Sequence, residues 1–367
     1  MSRIRDLAKP HIRELDPYPP GKPIEELERE LGVRDSVKLA SNESAFGPSP
    51  RVVQAIREAA SGVHRYPDGS AHYLREALAA RLHVEPEQLL FGCGSDELLE
   101  ILAKTFLSPG DEVVFPWPCF AMYPIVTQGM GALSVRVPLD GEYRADVAGL
   151  IAAVTERTRL LLIANPNNPT GTSIGARELG TLLERVPDRV LVVYDEAYLH
   201  YVRRPDYPDA LSELGSRPNL VLLRTFSKVY GLAGLRVGYA IGSRELCALL
   251  ERARHPFNVS SIAQSAALAA LEDEEHVARA VAMNGAGLVR LAEGLQELGV
   301  EFVPSDANFL LVRVGPDAKR VYEALLRAGV ITRPLGAFGL DEHLRVTVGL
   351  PEENERFLKA LREVRTA

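Results

Sequence analysis

The segment RVLVVYDEAY (residues 189–198) decides the fold class, because its apolar run is almost unbroken up to Asp195. A strand that is apolar throughout, rather than at every second residue, is typical of a mostly parallel sheet with helices on both faces. Similar runs alternate with helical patterns from about residue 88 to residue 242, which predicts an α/β fold. The predicted strands lie in QLLFGCG, DEVVFPW, LSVRVPL, RLLLIANP, RVLVVYDEAY, NLVLLRTFSK and VGYAIG.

Polar side chains follow the ends of several of these strands. Ligand sites in open α/β sheets form outside the carboxyl ends of the strands. An acidic residue at the end of a buried strand is costly unless it is paired, so Asp195 needs a cationic or protonated partner if it is not simply a helix cap. Lys228 is either a surface lysine or a buried amine whose lowered pKa suits imine formation with an aldehyde. The polar residues in such positions are Ser95, Asp96, Asn168, Asp195, Tyr198, Ser227 and Lys228.

Two turn motifs lie at these strand ends. In FGCGSDELLEIL (residues 91–102) a strand meets Gly92 and Gly94, and a helix then begins near Ser95. The glycines let the backbone approach an anion, and the helix amides and dipole favour its charge, so this segment is either a phosphate site or an ordinary helix start. NPNNPTG (residues 165–171) has, on composition alone, the residues of a simple turn.

The composition is that of an ordinary globular protein. The 367 residues are 46% hydrophobic and 25% charged, and this length favours two lobes. A net charge of −7 without a basic block argues against a nucleic-acid partner. MSRIRDLAKP lacks an apolar leader and no run approaches the ~18 apolar residues of a membrane span, so we expect a cytoplasmic protein. The dispersed cysteines are expected as core thiols, without disulfides or a metal site: Cys93, Cys119 and Cys247.

Three regions are predicted along the chain. Residues 1–40 form an arm that joins the smaller domain and is extended around PYPPGKP, since proline interrupts helices. Residues 41–270 form a large domain that contains the sheet. An amphipathic helical pattern from about Ser260 to Leu298 leads into a smaller α+β domain at residues 271–367.

Together and in this order, these segments resemble the fold-type I pyridoxal-phosphate aminotransferases, and within them the histidinol-phosphate aminotransferase branch. The resemblance covers nearly the whole chain, from PYPPGKPIEELERELG and KLASNES to HLRVTVGLPEENERF. It implies a mostly parallel seven-stranded sheet between helices, a smaller α+β domain and a homodimer. It also implies pyridoxal 5'-phosphate as cofactor and, in histidine biosynthesis, ping-pong amino transfer between L-histidinol phosphate or imidazole-acetol phosphate and glutamate or 2-oxoglutarate.

The resemblance implies a role for each matched residue around the cofactor. Lys228 corresponds to the lysine that forms a Schiff base with pyridoxal phosphate and later moves the substrate proton. Asp195 corresponds to the partner of the protonated ring nitrogen, which keeps the ring an electron sink. Asn168 and Tyr198 correspond to hydrogen-bond partners of the phenolic oxygen, and Phe120 to an aromatic residue stacked on the ring. The cofactor phosphate is expected at Ser95, Asp96, Thr225, Ser227 and Arg236, together with Tyr66 from the neighbouring subunit.

The resemblance extends to the substrate side. Arg345 in HLRVTVG corresponds to the arginine that binds a substrate carboxylate, and Arg333 in ITRP to one that binds the substrate phosphate. Tyr18 and Asn42 correspond to further substrate-side positions. The family commonly has Asn-Glu-Asn-Pro where this chain has Asn-Glu-Ser-Ala from Asn42 onward, so a different local turn is expected here.

Three other functions compete with this interpretation. An aromatic amino acid aminotransferase would share the cofactor, but Arg333 supplies the additional positive charge that a phosphorylated substrate needs. A decarboxylase of a phosphorylated amino acid would carry the same motifs. A non-catalytic cofactor-binding module of a transcription regulator would follow a DNA-binding domain, whereas residues 1–40 are not basic.

Overall fold

The computed structural model describes residues 3–366, which form three sheets and the helices around them. The strands are β1 (Val37–Lys38), β2 (Leu89–Gly92), β3 (Glu112–Trp117), β4 (Leu133–Pro138), β5 (Thr158–Ala164), β6 (Leu191–Asp195), β7 (Leu220–Thr225), β8 (Gly238–Ile241), β9 (Glu301–Val303), β10 (Phe309–Arg313), β11 (Val330–Ile331), β12 (Arg333–Pro334) and β13 (His343–Thr347). The α-helices are α1 (Arg3–Leu7), α2 (Pro10–Arg13), α3 (Ile24–Leu31), α4 (Pro50–Ala59), α5 (His72–Leu82), α6 (Gly94–Phe106), α7 (Met122–Gly129), α8 (Val147–Ala152), α9 (Ala176–Arg185), α10 (Ala210–Glu213), α11 (Arg244–Glu251), α12 (Ser261–Leu271), α13 (Glu274–Glu297), α14 (Ala318–Arg327) and α15 (Pro351–Thr366). None of these helices is long and apolar enough to cross a membrane.

The largest sheet has seven strands in the order β2-β8-β7-β6-β5-β3-β4. β8 runs antiparallel to both of its neighbours, and all other neighbouring strands are parallel. The predicted mostly parallel seven-stranded sheet is therefore confirmed. Because β5, β6 and β7 are adjacent and parallel, their carboxyl ends meet at one edge of the sheet, where Asp195 ends β6.

Alternate residues of the central strands enter two separate hydrophobic cores. Leu161 and Ile163 of β5 pack in one core, whereas Leu160 and Leu162 pack in the other. Successive side chains of a strand point to opposite faces of its sheet. Helices α5 and α12 contribute to the first core, and α6 and α7 to the second. Burial on both faces explains the unbroken apolar runs, while the partly exposed β4 is an edge strand.

A third core surrounds the four-stranded antiparallel sheet β12-β13-β10-β9. Helices α13, α14 and α15 contribute side chains to this core. The amphipathic pattern expected from Ser260 to Leu298 forms two helices, α12 and α13, and the Oδ1 of Asp273 caps α13 by accepting from the His276 amide at 3.1 Å. The boundaries of the predicted domains at residues 41 and 271 stay predictions.

The N-terminal segment packs against helix α7 and against α14 and β11. Helix α2 packs against α7, beside the seven-stranded sheet. Leu27 of α3 packs with Leu326 and Ile331, and β1 pairs in parallel with β11. The extended conformation expected around the prolines is confined to residues 15–23, with helices on either side. This stretch therefore joins α2, which packs on α7, to α3, which packs on α14 and β11.

Candidate active site

A cavity of about 500 Å³ lies at the carboxyl edge of the seven-stranded sheet. Residues of β6, α6, β13 and the N-terminal segment line it together. All residues expected at the cofactor or substrate line this cavity except Tyr66 and Arg333. The expected residues found here are Tyr18, Asn42, Ser95, Asp96, Phe120, Asn168, Asp195, Tyr198, Thr225, Ser227, Lys228, Arg236 and Arg345.

Asp195 ends β6 as a buried carboxyl group. Its Oδ1 accepts a hydrogen bond from the amide of Ala197 at 3.0 Å, and its Oδ2 accepts one from the hydroxyl of Tyr123 at 3.2 Å. Burial raises the pKa of this carboxyl to about 6, and the two hydrogen bonds offset only part of that effect. A cation in the cavity would stabilise the ionised form, because burial without a counter-charge is unfavourable.

Lys228 lies three residues after β7 and is partly buried. Its Nζ is 5.6 Å from the centre of the Tyr198 ring. Burial lowers the pKa of the Lys228 amine to about 8, and the positive charge of Arg345 acts in the same direction. A substantial fraction of this amine is therefore neutral near pH 8, which suits a nucleophile or a general base.

The start of α6 and Arg236 form an anion cradle. Gly94 has a φ of +76°, and a Cβ there would lie 2.5 Å from the Nη2 of Arg236. A Cβ on Gly238 would lie 2.9 Å from the backbone nitrogen of Ser95. Both positions therefore require glycine for this close approach. The Nη2 of Arg236 donates to Asp96 Oδ2 at 2.9 Å, which holds the guanidinium beside the first amides of the helix.

Hydrogen bonds fix the two turns that border this cradle. The Oγ1 of Thr225 accepts from the amide of Ser227 at 3.0 Å and donates to its Oγ at 2.9 Å. The Oε2 of Glu97 accepts from the amide of Cys93 at 2.5 Å. The expectation that all three cysteines are core thiols is wrong for Cys93, which is only partly buried because it lies in the turn before α6. The other two cysteines are buried as expected.

Tyr198 joins the cavity to the second sheet. Its hydroxyl accepts a hydrogen bond from the Nδ2 of Asn42 at 2.9 Å, and its ring packs edge-on against Phe309, with 5.2 Å between the ring centres. Burial raises the pKa of Tyr198 to about 12. The hydroxyl is therefore protonated at neutral pH. Asn42 has a φ of +54°, a left-handed conformation that asparagine tolerates better than most residues.

Arg345 is a buried cation on β13. Its Nη1 donates to the Oδ1 of Asn168 at 2.5 Å, and its Nη2 donates to the carbonyl of Ala40 at 2.6 Å. Burial lowers the pKa of Arg345 to about 10, so the side chain is still charged at neutral pH. Its buried Nε has no hydrogen-bond partner within residues 3–366. The guanidinium can thus accommodate a carboxylate.

Arg333 lies beside the cavity rather than in its lining. It stands opposite Arg345 in the β12–β13 pair, and its Nη2 donates to the carbonyl of Pro19 at 2.8 Å. The centre of its guanidinium is 5.7 Å from the ring centre of Tyr18, which does line the cavity. Arg333 is therefore connected to the cavity through Tyr18 of the N-terminal segment.

Tyr66 is also outside the cavity. Its side chain is 83% exposed and stacks on Phe257, with 4.9 Å between the ring centres. Tyr66 lines a separate surface region that includes His64 and Ser260. Within a single chain, Tyr66 therefore does not take part in the cavity.

Two residues that hold the site were missed from the sequence. Tyr123 donates to Asp195, and the hydroxyl of Thr347 contacts Asn42. Thr347 follows Arg345 by two positions in β13, and strand alternation places the two side chains on one face. That spacing is the signal that could have indicated it.

The fold and the site define the class of protein. Residues 34–361 match the family described as aminotransferase class I and II. The chain belongs to this family. The protein has the aminotransferase fold and acts on small-molecule substrates.

Particular members of the family are similar over nearly their whole length. A histidinol-phosphate aminotransferase from Moorella thermoacetica is 49% identical, with 96% of this chain and 92% of that protein covered. Histidinol-phosphate aminotransferase 2 from Pseudomonas fluorescens Pf0-1 is 49% identical over 98% of this chain and 97% of that protein. The structure of histidinol-phosphate aminotransferase from Sinorhizobium meliloti in complex with pyridoxal-5'-phosphate has a TM-score of 0.91 and 32% identity, covering 100% of this chain and 98% of that one. The predicted family and fold are confirmed.

Proposed function

We propose that this protein uses pyridoxal 5'-phosphate to transfer an amino group between L-histidinol phosphate and 2-oxoglutarate, a step of histidine biosynthesis. One observation carries the proposal: an amine, a buried carboxyl and a buried guanidinium line the same cavity, at Lys228, Asp195 and Arg345. The near full-length similarity to proteins named histidinol-phosphate aminotransferase supports the choice of substrate.

The residues around the cavity fit this cofactor. Burial raises the pKa of the Asp195 carboxyl to about 6, and the groups of residues 3–366 named as acting on it include no cation. A protonated ring nitrogen would supply one. The start of α6 and Arg236 suit a phosphate group, because helix amides and a guanidinium both bind that anion. Phe120 presents an aromatic surface at the cavity for the ring.

Pyridoxal phosphate, when bound, supplies an aldehyde that condenses with amines and a ring that accepts electrons from the Cα–H bond of the substrate. Lys228 would hold the cofactor and then take the Cα proton, which an amine with a pKa of about 8 can do near neutral pH. Asp195 would hold a negative charge at the ring nitrogen. The Oδ1 of Asn168 is occupied by Arg345, which leaves its Nδ2 to donate towards the phenolic oxygen.

The paired arginines favour a phosphorylated substrate. Arg333 and Arg345 are paired positions of β12 and β13, and the positive charge of Arg333 acts on Arg345. The α-carboxylate of glutamate carries one negative charge and needs one arginine, whereas the phosphate of histidinol phosphate carries more charge and suits both. A site for a neutral aromatic ring would not need Arg333.

The proposal includes a homodimer in which Tyr66 completes the site of the other subunit. An aromatic side chain that is 83% exposed and stacked on Phe257, itself 45% exposed, is typical of an interface. Mixing Tyr66→Ala chains with Lys228→Ala chains tests this, since a mixed dimer contains one site with both residues. Activity should reappear on mixing. No recovery in demonstrated mixed dimers would remove Tyr66 from the proposal.

The decisive experiment is an absorption spectrum of the cofactor-loaded protein, before and after borohydride, followed by titration with amino donors. We expect a visible band that borohydride removes and that Lys228→Ala lacks. Lys104→Ala, which changes a partly exposed lysine of α6, should keep the band. Histidinol phosphate and glutamate should bleach the band far more readily than phenylalanine or tyrosine.

Each competing function predicts a different result. Equal bleaching by phenylalanine would identify an aromatic aminotransferase. Release of carbon dioxide from a phosphorylated amino acid would identify a decarboxylase. A stable band that no amino donor bleaches would identify a non-catalytic module, and no band after cofactor addition would overturn the proposal.

A further inference from the structure

A chain of hydrogen bonds runs from β13 to Tyr198 through one buried amide. The Oγ1 of Thr347 accepts from the backbone amide of Asn42 at 3.0 Å and donates to the Oδ1 of Asn42 at 3.1 Å. The Nδ2 of Asn42 then donates to the hydroxyl of Tyr198 at 2.9 Å. All three side chains are buried, with at most 4% of each residue exposed.

The hydroxyl of Thr347 decides which way the Asn42 amide faces. Its oxygen already accepts from the backbone of Asn42, so its proton needs an acceptor, and Oδ1 is the one it reaches. If the amide were reversed, its NH2 group would face this hydroxyl and the proton would lose its acceptor. Leaving a buried donor unpaired is unfavourable. The amide therefore presents its NH2 group to Tyr198.

The backbone around Asn42 is held independently of this amide. The Nδ2 of Asn308 donates to the carbonyl of Asn42 at 3.1 Å, and the amide of Thr347 donates to the carbonyl of Leu39 at 2.9 Å. The left-handed conformation of Asn42 is thus fixed by backbone contacts to the second sheet. Loss of the Thr347 hydroxyl would free the orientation of the Asn42 side chain and remove one bond to its backbone amide, while these two bonds keep the backbone docked.

We propose that Thr347 is a positioning residue that directs the proton of the Tyr198 hydroxyl towards the cofactor. Because the Tyr198 oxygen accepts from Asn42, its own proton is free to be donated into the cavity, where the phenolic oxygen of the cofactor would accept it. With the Asn42 amide reversed, Oδ1 would attract that proton instead. This inference rests on the proposed function, since it concerns pyridoxal phosphate bound in this cavity.

The test is the pH midpoint at which the visible band of the cofactor-loaded enzyme changes. A hydrogen bond donated to the phenolic oxygen stabilises the negative charge of that oxygen. The oxygen then attracts less strongly the proton on the nitrogen that would join Lys228 to the cofactor, so this nitrogen loses its proton at lower pH. Removing the donor raises the midpoint. We expect Thr347→Val to raise it by about one pH unit, the effect of a hydrogen bond to a charged group.

The charged groups that act on Tyr198 are unchanged in these variants, so they do not account for such a shift. They are Arg345, Asp195 and Asp96, with the Lys228 amine above its ring. Thr347→Ser keeps the hydroxyl and should titrate like the native enzyme. Thr332→Val removes a buried threonine hydroxyl that has no hydrogen-bond partner within residues 3–366, and it should leave the midpoint unchanged.

A double variant separates positioning from general disturbance. Tyr198→Phe should raise the midpoint by itself, and Thr347→Val added to it should have no further effect, because both changes remove the same donor. Thr347→Ala serves the same purpose if the valine variant does not fold. A native-like midpoint in folded Thr347→Val, or additive shifts in the double variant, would overturn the inference. Absence of a visible band in the native protein would instead overturn the proposed function.

Discussion

The two sides of the cavity are built differently. On the cofactor side, Asp195 bonds to Ala197 and Thr225 bonds to Ser227, each within two positions of the chain. On the substrate side, Arg345 contacts residues 177 and 305 positions away, and Arg333 contacts one 314 positions away. The cofactor side thus combines short-range bonds at strand ends with longer ones within the large sheet and its helices, such as that from Arg236 to Asp96. The two substrate-side arginines depend instead on how the N-terminal segment and the second sheet meet. Substitutions should be able to damage one side and spare the other.

The largest effect is expected from Asp195→Asn on the cofactor side. Removing one partner of a buried charge pair costs about 3–5 kcal/mol, which corresponds to about a thousandfold loss in kcat. The substrate arginines are untouched, so binding of unreactive dicarboxylates should be nearly normal. Steady-state kinetics and inhibitor titration measure the two quantities.

Asp188→Asn is the matched control for this variant. Asp188 is exposed and lies just before the opposite end of β6. It should leave kcat unchanged. A similar loss in both variants would mean that the strand, rather than the Asp195 charge, had been disturbed.

The same Asp195→Asn change should stabilise the cofactor-free protein. An ordinary aspartate carboxyl has a pKa of 3.8, whereas burial raises the pKa of Asp195 in the folded protein to about 6. Its contribution to stability is thus complete below pH 3.8 and is lost as the pH rises through about 6. An uncharged asparagine avoids this loss. Between acidic and neutral pH, the free energy of unfolding of the variant should therefore rise by about 3 kcal/mol relative to that of the native chain.

Urea unfolding of the cofactor-free proteins at several pH values measures this gain. The difference in unfolding free energy should grow with pH and level off above about pH 6. A constant difference would show that Asp195 is not the titrating group. Saturating cofactor should reverse the order, since the native carboxylate then gains a cationic partner.

On the substrate side, Arg345→Gln should lower kcat/KM for glutamate by about a hundredfold, because a charged hydrogen bond contributes about 1.5–3 kcal/mol. Cofactor affinity should stay within about twofold, since none of the cofactor groups on the large sheet is removed. Arg313→Gln alters an exposed arginine on the neighbouring β10 and is the control. Equal weakening of cofactor and glutamate binding would contradict the separation of the two sides.

The fold could be predicted because its signals are local. Burial on both faces makes the strands of the large sheet continuously apolar, and every predicted strand in that sheet is present. Helices α1 and α2 were not predicted, because each is five residues or fewer and lacks an amphipathic pattern long enough to recognise. Their positions are set by packing, as with α2 on α7.

The site could be predicted from two signals, the position of polar residues at strand ends and the resemblance to the family. The resemblance supplied residues whose contacts are distant, such as Arg345. Asp195 and Lys228 stand at strand ends, where polar residues after apolar runs mark a ligand edge. Thr347 and Tyr123 were missed because their partners, Asn42 and Asp195, are 305 and 72 positions away. The roles of all these residues towards cofactor and substrate stay predictions.

The smallest effect is expected from Arg333→Gln, which tests whether the substrate side distinguishes its ligands. Part of this guanidinium is already engaged by the carbonyl of Pro19, so only its remaining donors can meet a substrate phosphate. We expect kcat/KM for histidinol phosphate to fall about tenfold, with the value for glutamate almost unchanged.

Arg327→Gln is the control, because Arg327 is exposed at the end of α14 and precedes β12 by a few residues. It should affect neither substrate. If Arg333→Gln lowered kcat/KM equally for both substrates, the arginine would act by holding the segment at Pro19 over the cavity. If only histidinol phosphate were affected, Arg333 would bind the phosphate directly. The substrate side would then divide into Arg345 for the α-carboxylate of glutamate and Arg333 for the phosphate of histidinol phosphate.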